Sequence, residues 1–225
     1  MTGPVDVVIA CFLEPELVDR IASVDPERIR VHHEPDLLPV PRFPGDHHGT
    51  PRSLDEAGRE RWLGLLGRAE VMLHVDWMEP ERLPERAPRL RWIQGTSAGM
   101  GEFLERTGLD RTDLVVTTAS GLFGGPVAEF VVLGLLFFAK DVARLQERQR
   151  LHRWERHAIG ELAGRRVLVL GLGDLGSCIA VRCNALGMEV WGARRVFRPD
   201  RPKLIRSSTS GSSTIPRCSF SSTSS

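Results

Sequence analysis

Residues 167–180 read "VLVLGLGDLGSCIA", an apolar run that stops at a glycine and restarts with the spacing of a helix. In Gly171-Leu172-Gly173-Asp174-Leu175-Gly176 each glycine has its own task. The first allows a sharp strand-to-helix turn, the second lets a pyrophosphate approach the backbone, and the third lets helix and strand pack closely. Amides of the first helical turn then meet the phosphates, and the helix dipole favours their negative charge. The stretch predicts a dinucleotide-binding turn, with Gly171, Gly173, Asp174, Leu175 and Gly176 as cofactor-binding residues.

The flanks agree with this reading. Val167 to Leu170 ahead of the turn make a buried strand, Leu175 to Leu186 make an amphipathic helix closed by Gly187, and Glu189 to Gly192 make a second strand. This is one βαβ unit. The end of its second strand discriminates between cofactors, because a carboxylate there bonds the ribose 2′-hydroxyl whereas arginine accommodates a 2′-phosphate. The chain offers "WGARR", with Arg194 standing 18 residues after Gly176 and Arg195 following. Both arginines join the cofactor-binding set, and NADPH is favoured over NADH as the NAD(P) form.

Upstream, strand-like runs occupy 5–11, 69–75, 90–96 and 113–119, each short, apolar and bounded by polar residues. Helical segments lie between them, among them 54–69, where Leu54, Ala57, Trp62, Leu65 and Leu66 share a face. Alternation of strand and helix predicts a parallel sheet, since parallel neighbours need crossover connections. Residues 32–51 hold five prolines and little periodicity, which predicts a long surface loop. From Gly125 to about Arg153 the pattern is one long helix with Pro126 in its first turn. The charged run 144–157 is its solvated face and the linker after it, with His152 and His157 at the surface. After Val196 the periodicity ends, and 13 of the last 19 residues are Ser or Thr. That composition predicts a disordered tail over 197–225.

With 30 basic and 29 acidic residues the net charge is +1, so the chain has no broad footprint for nucleic acid or an anionic membrane. The longest apolar run, Phe130 to Phe138, is about half of what a bilayer crossing requires. The N-terminus has no basic region and carries Asp6 within its apolar stretch, as a first strand does and a secretion signal does not. Cys11, Cys178, Cys183 and Cys218 are scattered without a CxxC pair, which points to reduced thiols and the cytoplasm.

Three blocks now stand in order: "LRWIQGTSAGM" (90–100), "VVTTASGLFGGPVAEFVVLGLLFFAK" (115–140) and "LAGRRVLVLGLGDLGSCIAVRCNALGMEVWGARR" (162–195). By these blocks the sequence resembles the D-isomer-specific 2-hydroxyacid dehydrogenases, in particular their glyoxylate and hydroxypyruvate reductase-like branch, over about residues 5–196. The resemblance implies an α/β protein: a flavodoxin-like substrate-domain portion at 1–118, then an incomplete Rossmann-type dinucleotide-binding domain at 119–196. An active-site cleft would lie between the two. It further implies a small 2-oxo or 2-hydroxy acid as substrate, its carboxylate received by backbone amides of Ser97-Ala98-Gly99. Glu129 would serve a structural role near a helix start.

In such enzymes an arginine orients the 2-oxo acid and a histidine coupled to a glutamate donates the proton as hydride arrives. Those residues follow the second strand of the cofactor domain, and this chain has no histidine after His157 and no glutamate after Glu189. No catalytic residue is therefore assigned, and the expectation is an impaired fragment, truncated or frameshifted near residue 196. Few strands would leave apolar faces and an unpaired edge exposed. Family members are homodimers joined through the cofactor domain, an association that half a domain does not support.

The pairs His32-His33 and His47-His48 lack acidic or cysteine partners at ligand spacing and predict no metal site. His74, beside Asp76 and Trp77, reads as a satisfied histidine at a strand end, with a cleft-lining role as the alternative. The reading of the whole is an NAD(P)-dependent oxidoreductase lineage acting on small 2-oxo acids. The alternative is a non-enzymatic dinucleotide-sensing protein of the corepressor type, and a methyltransferase using the same turn is disfavoured by the flanking blocks.

Overall fold

A computed structural model describes residues 3–193, and the chain divides into two compact units between Ser120 and Gly121. Unit 1 opens with β1 (Val5–Ile9), α1 (Pro15–Ala22) and β2 (Ile29–His32). It continues through α2 (Glu56–Arg68), β3 (Val71–Leu73), α3 (Leu83–Arg86), β4 (Trp92–Gln94), α4 (Gly101–Thr107) and β5 (Val115–Thr117). The five strands form one sheet in the order β2-β1-β3-β4-β5, and every pairing is parallel. That order, with a switch at β1/β3, is the flavodoxin-like one.

Alternation along β1 shows why both faces are covered. Val8 and Ala10 enter a core with Leu38, Trp62, Leu66, Met72 and Ile93. Ile9 and Cys11 point the other way, into a smaller cluster with Leu13, Val18, Ile21 and Val31. Successive side chains of a strand face opposite sides, so an unbroken apolar run is what a doubly covered parallel strand needs. Asp6 interrupts that run and is buried, held by His32 Nε2 at 2.8 Å with Arg30 and Arg89 nearby.

Helix α2 starts where Asp55 Oδ1 accepts the Gly58 N–H at 2.8 Å. It buries Gly58, Trp62, Leu65 and Leu66. Ala57 is exposed instead of joining that face, because Gly58 occupies the tight position against Leu54 and Asp55. Ahead of it the structure adds one element and corrects one expectation. Residues 29–32 form an edge strand that its two alternating apolar residues did not announce. The proline-rich stretch is irregular but not purely a surface loop: Leu37 and Leu38 lie in the core, and Asp46 is buried beneath Arg42.

Unit 2 contains α5 (Gly124–Ala139), α6 (Val142–Arg150), β6 (Arg166–Leu170), α7 (Asp174–Ala185) and β7 (Glu189–Ala193). β6 and β7 pair in parallel, with Val167 opposite Val190. The single long helix expected from Gly125 to Arg153 is two helices. The chain breaks at Asp141, which adopts a left-handed φ of 51°, a conformation Asp tolerates better than most residues. The Ala139 carbonyl is taken by the returning Gly160 N–H at 2.8 Å, which ends the first helix with a tertiary bond. His152 is exposed as expected, while His157 is half-buried, its Nε2 enclosed.

Small residues let α5 meet α7. A Cβ on Gly124 would come within 2.7 Å of Cys178 Sγ, and Ala128 is fully buried. Glu129 pairs with Arg182 of α7 at 3.7 Å, a structural role of the kind the resemblance implied. No described helix is long and apolar enough to cross a membrane.

Candidate functional site

Two constellations carry chemistry, one in each unit. In unit 2 the turn between β6 and α7 distributes its glycines by distinct constraints. Gly171 has φ +93°, a backbone that side-chain-bearing residues rarely adopt, and its N–H is fixed to the Ala193 carbonyl at 2.8 Å. Gly176 lies against that bend, for a Cβ there would stand 1.8 Å from the Gly171 carbonyl oxygen. At Gly173, by contrast, a Cβ would meet no atom within 4 Å. Gly171 shares that openness, so of the three glycines only Gly176 is packed against protein atoms.

Leu172 and Leu175 divide the remaining work. Leu172 turns inward and is buried, its side chain filling the space where a Cβ on Gly192 would lie 2.5 Å from Cδ1. Sequence reading passed over Gly192, although a glycine inside a strand signals such a close approach. Leu175 is half-exposed at the start of α7. Asp174 takes the first helical position and Ser177 N–H closes the first turn on the Gly173 carbonyl at 2.9 Å. A helix's own ladder leaves its first amides to other acceptors, so the main chain of Asp174 and Leu175 is the part suited to an anion. Arg194 and Arg195 lie outside the described residues.

In unit 1, Ser97-Ala98-Gly99 follows β4 at the carboxyl edge of the parallel sheet, where open α/β sheets place their ligands. The loop is pinned on both sides. Gly95 N–H bonds the Thr117 carbonyl at 2.7 Å, and Ala119 N–H bonds the Ser97 carbonyl at 3.1 Å. Met100 folds back over Gly95, with Sδ 1.9 Å from where a Cβ would be. Between these anchors Ala98 and Gly99 are exposed, and nothing lies within 4 Å of a Cβ built on Gly99.

Histidines gather at the same edge. His74 follows β3 with φ +69° and is buried; its Nδ1 shares a 3.1 Å hydrogen bond with Thr96 Oγ1. The ring of His48 stands edge-on to it at 5.1 Å, and His47 Nδ1 reaches the Phe12 carbonyl at 3.2 Å. Burial first, then the neighbouring His48 and His47, push the His74 pKa down to about 4, so it is neutral at pH 7. The reading of His74 as a satisfied histidine is correct, and its partner is the residue next to the loop. Among the described residues no group of three or more His, Cys, Asp or Glu is placed to hold a metal ion.

Residues 132–215 match the family model described as D-isomer specific 2-hydroxyacid dehydrogenase, NAD binding domain. The chain resembles the D-isomer-specific 2-hydroxyacid dehydrogenases. D-3-phosphoglycerate dehydrogenase of Mycobacterium leprae is 28% identical over 151 residues, which cover 62% of this chain and 27% of that protein. A D-isomer specific 2-hydroxyacid dehydrogenase family protein from Aeromonas salmonicida has the same fold at TM-score 0.61 and 23% identity, over 86% of this chain and 54% of that one. An NADPH-dependent glyoxylate/hydroxypyruvate reductase from Sinorhizobium meliloti, solved with NADP and sulfate, follows at TM-score 0.57 and 22% identity, over 86% and 54%. The chain thus spans about half the length of its 2-hydroxyacid dehydrogenase structural relatives.

Proposed function

We propose that this chain belongs to an NAD(P)-dependent oxidoreductase that reduces a small 2-oxo acid to the 2-hydroxy acid. The observation that carries the reading is the division of labour in the turn: one glycine bent, one packed, and one left open. Bound nicotinamide dinucleotide would supply the hydride. Gly171, Gly173, Asp174, Leu175 and Gly176 would hold its pyrophosphate through main-chain amides, while amides of Ser97-Ala98-Gly99 would receive the substrate carboxylate. In this reading 1–118 is the substrate-binding portion and 119–196 the first part of the cofactor domain. Arg194 and Arg195 would pair with a 2′-phosphate and favour NADPH, the cofactor form named with the Sinorhizobium meliloti reductase.

Proton donation is not assigned to any residue of this chain. Among the described residues no histidine hydrogen-bonds a glutamate; the histidine side chains bond Asp6, Phe12 and Thr96 instead. That favours a second reading in which the chain binds dinucleotide without turning it over, as a sensor does. The low pKa of His74 makes it a poor acid near neutrality. Buried Cys11, Cys178 and Cys183, none in a disulfide, suit a reducing cytoplasm.

The deciding experiment follows deuterium from labelled NADPH into glycolate on adding glyoxylate to purified chain. NADPH quenching of protein fluorescence at lower concentration than NADH, with or without transfer, supports the cofactor site. Transfer selects the reductase, and binding without transfer selects the sensor. Absence of any dinucleotide binding overturns both.

A further inference from the structure

The geometry points to His74 as a positioning residue that sets the Ser97–Gly99 loop for a carboxylate by holding Thr96. This rests on the loop's being the carboxylate site of the proposed function. Three independent constraints fix His74 itself. Its N–H bonds the Gln94 carbonyl at 2.8 Å, tying the end of β3 to the end of β4. Its φ of +69° is one that a non-glycine residue keeps only where the surroundings over-determine it. Its ring is buried against His48.

The imidazole Nδ1 shares its hydrogen bond with Thr96 Oγ1, directly before Ser97. A core histidine with no further duty could have been satisfied by any nearby carbonyl. Instead the bond ties a rigid strand end to Thr96, the residue between Gly95 and Ser97 at the start of the loop. Gly95 is held through its N–H by Thr117 and Ser97 through its carbonyl by Ala119, so the Thr96 side chain adds a third fixed point ahead of the exposed Ala98 and Gly99. Preorganised donors bind an anion without the cost of ordering them, and fixing Thr96 would keep the Ser97–Gly99 amides ordered before a ligand arrives.

The test uses the full 225-residue chain and glyoxylate as probe, with backbone amide NMR as readout. His74→Phe keeps ring volume but removes the hydrogen bond. His74→Asn tolerates the left-handed backbone and offers a polar atom near the place of Nδ1. In the ligand-free chain, His74→Phe and Thr96→Val are expected to lower the order parameters of Ser97, Ala98 and Gly99 while leaving β1 and β3 unchanged. His74→Asn is expected to restore them. Glyoxylate affinity is expected to fall about tenfold in the first two variants and to stay within about threefold of wild type in the third.

Unchanged loop order in His74→Phe overturns the inference, as does equal loss in His74→Asn. If glyoxylate perturbs no amide of the wild-type loop, the carboxylate reading itself fails. The ligand-free order parameters then still decide whether His74 positions the loop.

Discussion

Gly173 and Gly176 stand three residues apart and answer to different forces. A methyl group at Gly173 meets no protein atom, so Gly173→Ala is expected to change stability by no more than about 1 kcal/mol, the scale of an altered N-cap. With the pyrophosphate seated as proposed, it should nevertheless weaken NADPH binding at least tenfold, because the methyl group would occupy the phosphate's approach. Gly176→Ala drives a methyl group into the Gly171 carbonyl and should lower the melting temperature as well as abolish binding. Calorimetry and a fluorescence titration on the two variants check the contrast. His74 gives a second prediction. Its folded pKa of about 4 lies below the ordinary 6.5, so the unfolded chain binds the proton first and acid favours unfolding. Its contribution is intact above pH 6.5, is lost between 6.5 and 4, and amounts to about 3 kcal/mol over that window. Urea midpoints should fall with pH across that window, less steeply in His74→Asn. The bend at Gly171 and the close packing at Gly176 were legible from spacing alone, since local backbone geometry dictates them. The partner of His74 was not, because Thr96 lies 22 residues away.

Elements were legible where a pattern persisted. β1, β6, β7 and the buried face of α2 follow from apolar runs and a 3.6-residue period, although β6, expected to be buried, keeps only Val169 inside, and the cap of α2 at Asp55 emerges from the structure. Removing its cap in Asp55→Ala should cost about 1 kcal/mol, read as a lower urea midpoint with unchanged slope. β2 escaped because a four-residue edge strand offers too few alternations to outweigh the prolines after it. The break at Asp141 escaped for another reason. No glycine or proline stands between Gly134 and Gly160 to mark it, and at the end of α5 the Ala139 carbonyl is taken by Gly160 from later in the chain. The same contrast holds for Leu37 and Leu38, which a loop-like context hides and the core reclaims.

For the whole molecule, the two-stranded sheet of unit 2 has consequences for solubility. Leu168 and Leu170 of β6 are 59% and 79% exposed, on a strand whose outer edge pairs with no described strand. Such an edge recruits other chains. Leu170→Lys should therefore raise the monomer fraction in sedimentation at high concentration, without lowering the melting temperature. By itself the sequence determined the class of each unit, the parallel sense of the strands and the turn at Gly171, because periodicity and glycine spacing act over a few residues. Only the tertiary structure decided which residues close the second face of the sheet, where α5 ends, and that Thr96 hangs on His74. Those outcomes depend on groups distant in sequence competing for the same carbonyls and the same buried volume, and no local pattern records that competition.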